Sequence, residues 1–219
     1  MTNEELRAEY VRVMGSELGP LCHELVGELD LLRQKWGEFQ VLFEKGPERI
    51  ELLKEVASQF FGFMHNLLYE DAIMHICRLT DPPATMGHKN LTLMRLAESI
   101  PDPVLNAQVQ NDAEEVRKKC EFARKLRDKR LAHTDLESLR NPSLSPLPNV
   151  TSKNIEEALR SMRALLYSVE QHYGLPPSLS FPDPWGATSL VHYLEVAVRA
   201  KENERQHWRE LAGGKSGTS

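Results

Sequence analysis

At 219 residues, with 41% hydrophobic and 27% charged side chains, the chain has the size and composition of one domain, or one domain with appended helices, able to bury a real core. Its formal net charge of -5 excludes a uniformly basic surface, so any affinity for a polyanion has to come from a local basic patch. The three cysteines, Cys22, Cys77 and Cys120, are far apart and form no CxxC or CxxH pattern; this argues against a disulfide framework or a zinc site and for a reducing compartment.

The opening MTNEELRAEY is polar and acidic, without the basic start and apolar stretch of a signal peptide. No apolar run approaches the roughly 18 to 20 residues of a membrane span. A cytoplasmic location with no membrane partner is expected. Over 17–44, Leu21, Leu25, Leu29, Leu32, Trp36, Phe39 and Phe43 recur every three or four positions and predict one apolar helix face. Gly46-Pro47 stops that helix and starts the next. The stretch 47–80 is apolar on more than one face, which predicts a central helix packed on several sides, ended by Asp81-Pro82-Pro83.

A short helix is predicted over about 90–99, then a long, polar one over about 103–132 through Val104, Val109, Val116, Cys120, Ala123, Leu126 and Leu131. The proline-rich segment 136–150 is predicted as a loop, and Thr151 or Ser152 as the N-cap of a helix running to Tyr173-Gly174. LPPSLSFPDPWG, 175–186, is a proline-rich connector, a last helix follows over about 187–211, and GGKSGTS frays. No alternating stretch of strand length stands out. The predicted class is all-α, a bundle of long antiparallel helices.

Metal and cofactor signals are absent. His65 and His75 lie ten residues apart rather than at the i, i+4 spacing that seats a metal, and His88, His172, His192 and His207 have no acidic or thiol partners at ligand spacing. There is no GxGxxG, GxxxxGK[ST] or GxSxG. No cofactor and no metal are expected. The informative stretch is Glu114–His133, where eight Lys/Arg face four Asp/Glu, a local excess of +4 in a chain of net -5. Charge and spacing alone favour the plainer account, in which cations near a helix C-terminus complement its dipole and are solvated. The second account is chemical. Arg127 and His133, six residues apart, pair a group that holds charge on a phosphate with one that moves a proton near neutral pH. On a continuous helix they would point to different faces, so they converge only if the helix ends near Leu131 or if two chains share the site.

RDKRLAH, residues 127–133, matches the R-[N/D/H]-x4-H motif of HEPN (higher eukaryotes and prokaryotes nucleotide-binding) domains. With LRQKWGEFQVLF at 32–43, YEDAIMHICRLTDPP at 69–83 and KNLTLMRL at 89–96, the chain resembles the AbiU-type abortive-infection branch of that family over about residues 20–175. The resemblance implies a HEPN-like helical domain over 1–175, while the connector 176–186, the C-terminal helix 187–212 and the tail 213–219 lie outside the matched segment. It further implies an endoribonuclease that needs no metal, with RNA as substrate and a homodimer whose two motifs form one composite cleft. Arg127 would hold the scissile phosphate, His133 would transfer protons, and Asp128 would help orient the site. Lys129, Arg130 and Arg124 would contact RNA phosphates, with solvated surface as an equal alternative for the first two. Glu70 and Asp71 are possible partners of Arg127 or Arg130, a surface or cap role being at least as economical. Phage defence or a toxin-like role with a neutralising partner protein follows from the same resemblance. Two rivals stand beside it: a non-catalytic HEPN-like module binding nucleotide, RNA or protein, and a purely structural helical dimer.

Overall fold

The computed structural model describes residues 2–131, 150–176 and 185–213. These are helical throughout, apart from short connections and one pair of two-residue strands, and the all-α class is as expected. In order they are α1 (Asn3–Phe43), α2 (Pro47–Thr80), β1 (Ala84–Thr85), β2 (His88–Lys89), a 3-10 helix (Leu93–Ser99), α3 (Pro103–Lys119), α4 (Glu121–Leu126), a π-helical turn (Arg127–Leu131), α5 (Ser152–His172) and α6 (Trp185–Gly213). No helix among the described residues is long and apolar enough to cross a membrane. The chain forms two compact units, one from Met1–Gln34 and Glu70–Pro182, the other from Lys35–Tyr69 and Asp183–Ser219.

The first unit begins with a helical hairpin that periodicity does not show. Gly15 has φ 84 inside α1, a left-handed conformation open to glycine, and breaks the helix into two arms. The arms fold back on each other: His23 Nε2 and Asn3 Oδ1 are 3.1 Å apart, though 20 residues of straight helix would separate them by about 30 Å. Gly19 lies where they cross, and a Cβ there would sit 2.6 Å from the Tyr10 carbonyl oxygen. Buried Leu25, Leu29 and Leu32 of α1 and Ile73, Ile76 and Leu79 of α2 contribute to this unit's core, as do Val109 of α3 and Ile155, Met162 and Leu166 of α5. In α5, the Thr151 backbone N–H and hydroxyl both donate to Asn154 Oδ1, at 2.9 and 2.8 Å, closing the first turn.

One buried charge interrupts that core. Glu170 is fully buried; its Oε1 accepts from the Tyr10 hydroxyl at 2.5 Å and its Oε2 pairs with Arg163 Nη2 at 2.9 Å. Burial and the Glu170 carboxylate push the Tyr10 phenol well above its ordinary pKa, so it stays a donor. Removing one member of such a set leaves an uncompensated buried charge or donor, which is why paired burial holds and single deletions are costly.

In the second unit, Leu42, Leu53, Phe61, Ala187 and Val191 form the core, and Trp36 stacks on Phe39 with ring centroids 4.6 Å apart. Glu38 receives the first N–H groups of α6: Gly186 donates to Oε1 at 3.3 Å and Ala187 donates to Oε2. A carboxylate at a helix N-terminus satisfies orphan donors and complements the dipole. The expectation that α2 is packed on several sides holds for its later part, where Ala72, Ile73, Ile76 and Cys77 are buried, but not earlier. Phe60, Phe63 and Leu67, at i, i+3 and i+7, are 56%, 74% and 60% exposed and form an uncovered apolar face.

Two other expectations change. The short helix over 90–99 is 3-10 over Leu93–Ser99, N-capped by Thr92. The single helix over 103–132 is interrupted at Cys120 and ends in the π-helical turn. The loop over 136–150 and the connector over 176–186 lie outside the described residues except at their ends.

Alanine at helical glycines ordinarily stabilises by about 0.5–1 kcal/mol. Gly27 has nothing within 4 Å of a Cβ, and Gly27→Ala is expected to gain up to about that amount in urea denaturation. Gly19→Ala is expected to reverse the sign and lose about 1–3 kcal/mol, because the added carbon meets backbone that has to move.

Candidate functional site

The site is built where α2 stops. Pro82 and Pro83 cannot continue a helix, so the chain turns at Asp81, and the tight β1–β2 hairpin follows with Thr85 opposite His88. Met86 and Gly87 at its tip both have positive φ, as a two-residue hairpin turn requires. Thr92, fully buried, then ties this corner down: its hydroxyl lies 2.8 Å from the Asp81 carbonyl oxygen and 3.0 Å from that of Leu79 and is shared between them. Carbonyls at the end of α2 are thereby satisfied, and the Asp81 backbone is held.

Two arginines reach this end of α2 from the basic segment. Arg124 Nη1 donates to Thr80 Oγ1 at 2.9 Å and to the Thr80 carbonyl at 3.3 Å, and Nη2 donates to the Arg117 carbonyl. Its guanidinium thus bridges the C-terminal ends of α2 and α3, where a cation suits both dipoles. The diversion of the Arg117 carbonyl to a side chain accompanies the break between α3 and α4. Arg127, at the first position of the π-helical turn, donates from Nη1 to Asp81 Oδ1 at 3.0 Å and from Nε to Asp128 Oδ1 at 2.9 Å.

Arg127 is only 24% exposed and Asp81 28%, so this pair is better shielded from solvent than an ordinary surface ion pair. Burial works against the guanidinium charge, but the hydrogen bonds to Asp128 and Asp81 outweigh it and raise the Arg127 pKa above its ordinary value. Arg127 is a fixed cation with a fixed orientation. Among the described residues no acceptor meets its Nη2, which leaves one edge of the fork for an anion. Cys77 lies nearby, and burial pushes its thiol up to about 11 despite Arg127, so it is protonated at neutral pH and no nucleophile.

The other residues singled out by the motif can be placed individually. Asp128 is exposed and joined to Arg127, and Lys129 is half-buried in the same turn. The side chain of Arg130 is not described, and His133 lies outside the described residues. Asp81 is the residue that reasoning from the sequence misses. The carboxylate meeting Arg127 across the unit comes ten residues after Asp71, from a segment that reads only as a helix stop. The signal that could have found it is LTDPP, an acid held at the sharp end of an apolar helix.

Charge counting also changes once partners are visible. Arg117 pairs with Glu114, Lys118 with Glu115 and Lys125 with Glu121, at 2.8, 2.8 and 3.0 Å. These three pairs cancel within their own helices, so the +4 excess rests on Lys119, Arg124, Arg127, Lys129 and Arg130 against Asp128. Arg78, exposed in the last turn of α2, meets no carboxylate among the described residues. It lines a cavity of about 520 Å³ together with Glu28, His75, Asn90 and Asp81, so the partner of Arg127 also forms part of a pocket wall. Among the described residues, no group of three or more His, Cys, Asp or Glu is placed to hold a metal ion.

No curated protein and no solved structure matches the chain. The family model HEPN_AbiU2, described as AbiU2, matches residues 15–184, which takes in both arms of the corner at Asp81 and the whole basic segment. With most of its length so matched and an all-helical fold, the chain belongs to the AbiU2 family of HEPN domains.

Proposed function

We propose that the protein is an endoribonuclease of the HEPN type that cleaves RNA without a metal, acts as a homodimer and serves in phage defence or as a toxin-like effector. The single observation that carries this reading is the setting of Arg127. A guanidinium oriented by two carboxylates stands in a π-helical turn whose last residue, Leu131, comes two before His133. Such turns recur at functional sites. A non-catalytic nucleotide- or RNA-binding module is the rival, and the engagement of Arg127 by Asp81 and Asp128 is the feature that favours it.

In the proposed reaction the RNA supplies its own nucleophile. The 2′-oxygen attacks the adjacent phosphorus, the O2′–P bond forms and the P–O5′ bond breaks, leaving a 2′,3′-cyclic phosphate and a 5′-hydroxyl. His133 takes the 2′-OH proton or returns one to O5′; with two copies facing one cleft, one histidine does each. Charge growing on the non-bridging oxygens is met by Arg127 through Nη2, a donor already oriented before the substrate arrives. Asp81 and Asp128 are positioning residues here, Lys129 and Arg130 are proposed contacts along the RNA backbone, and Arg124, engaged by the Thr80 and Arg117 oxygens, braces the helix ends beside them. The exposed face of Phe60, Phe63 and Leu67 offers an apolar surface for self-association. A neutralising partner protein would restrain the activity in the cell.

With a mixed RNA pool as substrate, His133→Ala is expected to lower cleavage by about 100-fold or more and Arg127→Ala comparably, both retaining the helical circular dichroism signal. Cleavage should be insensitive to EDTA; a sharp dependence on chelation, or activity persisting in the histidine variant, would sink the mechanism. Asp81→Asn keeps the side-chain shape and is expected to lower kcat by about tenfold or more with little change in KM, with a modest stability loss of about 1 kcal/mol. Phe63→Glu is expected to shift the sedimentation coefficient toward the monomer and to lower activity with it. An unchanged assembly state would remove this face from the dimer.

A further inference from the structure

The cavity beside Asp81 has features that the proposed chemistry does not use. At about 520 Å³ it falls within the size range of small-molecule sites. His75, 1% exposed, lines it with Nε2 2.8 Å from Glu28 Oε2, which places the Glu28 carboxylate at the wall. Asn90 uses both amide hydrogens internally, donating to the Pro82 carbonyl at 2.8 Å and to Thr85 Oγ1 at 2.9 Å, so what it has left for a ligand is its carbonyl oxygen. Two acceptors not engaged by Arg127, Glu28 and Asn90, therefore share the pocket with Asp81, which Arg127 already holds, and with one cation, Arg78, which has no carboxylate partner among the described residues. Arg78 stands one helical turn before Asp81, and Asp81 holds Arg127 at 3.0 Å.

An oxyanion for the guanidinium and hydrogen-bond donors for the two acceptors are what a nucleotide presents. We infer that this cavity seats one nucleotide of a single-stranded RNA, its phosphate on Arg78 and the amino-bearing edge of its base against Glu28 and Asn90. The inference rests on the ribonuclease reading for the identity of the ligand, and it adds a base preference to that site. Adenine, cytosine and guanine carry an exocyclic amine that a carboxylate and an amide oxygen accept. Uracil offers a single N–H between two carbonyl oxygens, which the same acceptors repel. Because Asp81 belongs both to the pocket wall and to the Arg127 pair, the seated nucleotide is a near neighbour of the phosphate to be cut.

Titration calorimetry of the full chain with AMP, CMP, GMP and UMP tests this without requiring turnover. The three amino-bearing nucleotides are expected to bind about tenfold or more tightly than UMP. Arg78→Ala is expected to weaken all of them about tenfold, and Glu28→Gln to erase the discrimination against UMP while the thermal midpoint shows that the variant is folded. Equal binding of all four, binding of none, or an Arg78→Ala variant that binds like the wild type each overturns the inference. RNA cleavage that depends on His133 in a protein that binds none of the four leaves the ribonuclease reading standing and removes the pocket. Selective binding of the amino-bearing nucleotides by a protein that cuts no RNA removes the ribonuclease reading and leaves a nucleotide site.

Discussion

The Arg127–Asp81 pair is the contact on which the geometry of the site depends. A guanidinium three-quarters withdrawn from water needs a compensating charge, and Asp81 supplies it at 3.0 Å across 46 residues of sequence. Asp81 can do so only because α2 stops at Thr80, and α2 stops there because prolines follow and the Thr92 hydroxyl holds the corner. The same end of α2 accepts Arg124. Two arginines three residues apart on the basic segment thus meet two consecutive residues at the end of another helix, and this sets the height at which the π-helical turn begins.

That arrangement bears on what Arg127 can do. Were it held by nothing, its long side chain would sample many rotamers and lose entropy on meeting a phosphate. Held by Nε and Nη1, it has already lost that freedom, and its remaining donor edge has a set direction. The opposing effect is electrostatic. Two carboxylates within hydrogen-bond reach dilute the positive field that a phosphate feels. Both effects grow as solvent is excluded, since a lower dielectric strengthens the oriented donor and the field of its two carboxylates alike. The exposed Asp128 is the weaker of the two counter-charges, since solvent screens it more than it screens Asp81.

How much of this can be read from the sequence follows the range of the interaction. Leu25, Leu29, Leu32, Trp36 and Phe39 share a helix face at three- and four-residue spacing, and all are buried, because helix periodicity is a local property. Gly46-Pro47 and Asp81-Pro82-Pro83 mark real ends for the same reason. The hairpin within α1 is not legible in this way: Gly15 looks like any helical glycine until Asn3 is found beside His23. Nor can periodicity say that Glu170 is buried, since its partners Tyr10 and Arg163 come from both ends of the unit's sequence. Phe60, Phe63 and Leu67 show the opposite error. Apolar spacing announces a face to be covered, yet it does not say what covers it. In the site, Arg127 and Asp128 are readable as a motif, whereas Asp81 is joined to them by tertiary packing alone.

The distribution of charge narrows the ways in which this chain could hold RNA. Counted along the sequence, the segment from Glu114 to His133 is strongly basic; in space, Arg117, Lys118 and Lys125 are paired along their own helices, and Arg124 is engaged by two carbonyls and the Thr80 hydroxyl. Non-specific attraction to a polyanion scales with the number of phosphates neutralised, and the three cations paired with their own carboxylates add little to it. Affinity would then come from a few oriented contacts and from bases seated in pockets, as single-stranded RNA allows and a duplex does not. Arg78 and Arg127 fit that mode: one lines a cavity with two acceptors, the other is fixed to that cavity's wall by Asp81. An acidic protein with one positioned guanidinium and a second at a pocket wall would discriminate among RNAs by the shape and edge of an unpaired base more than by the charge that every RNA carries.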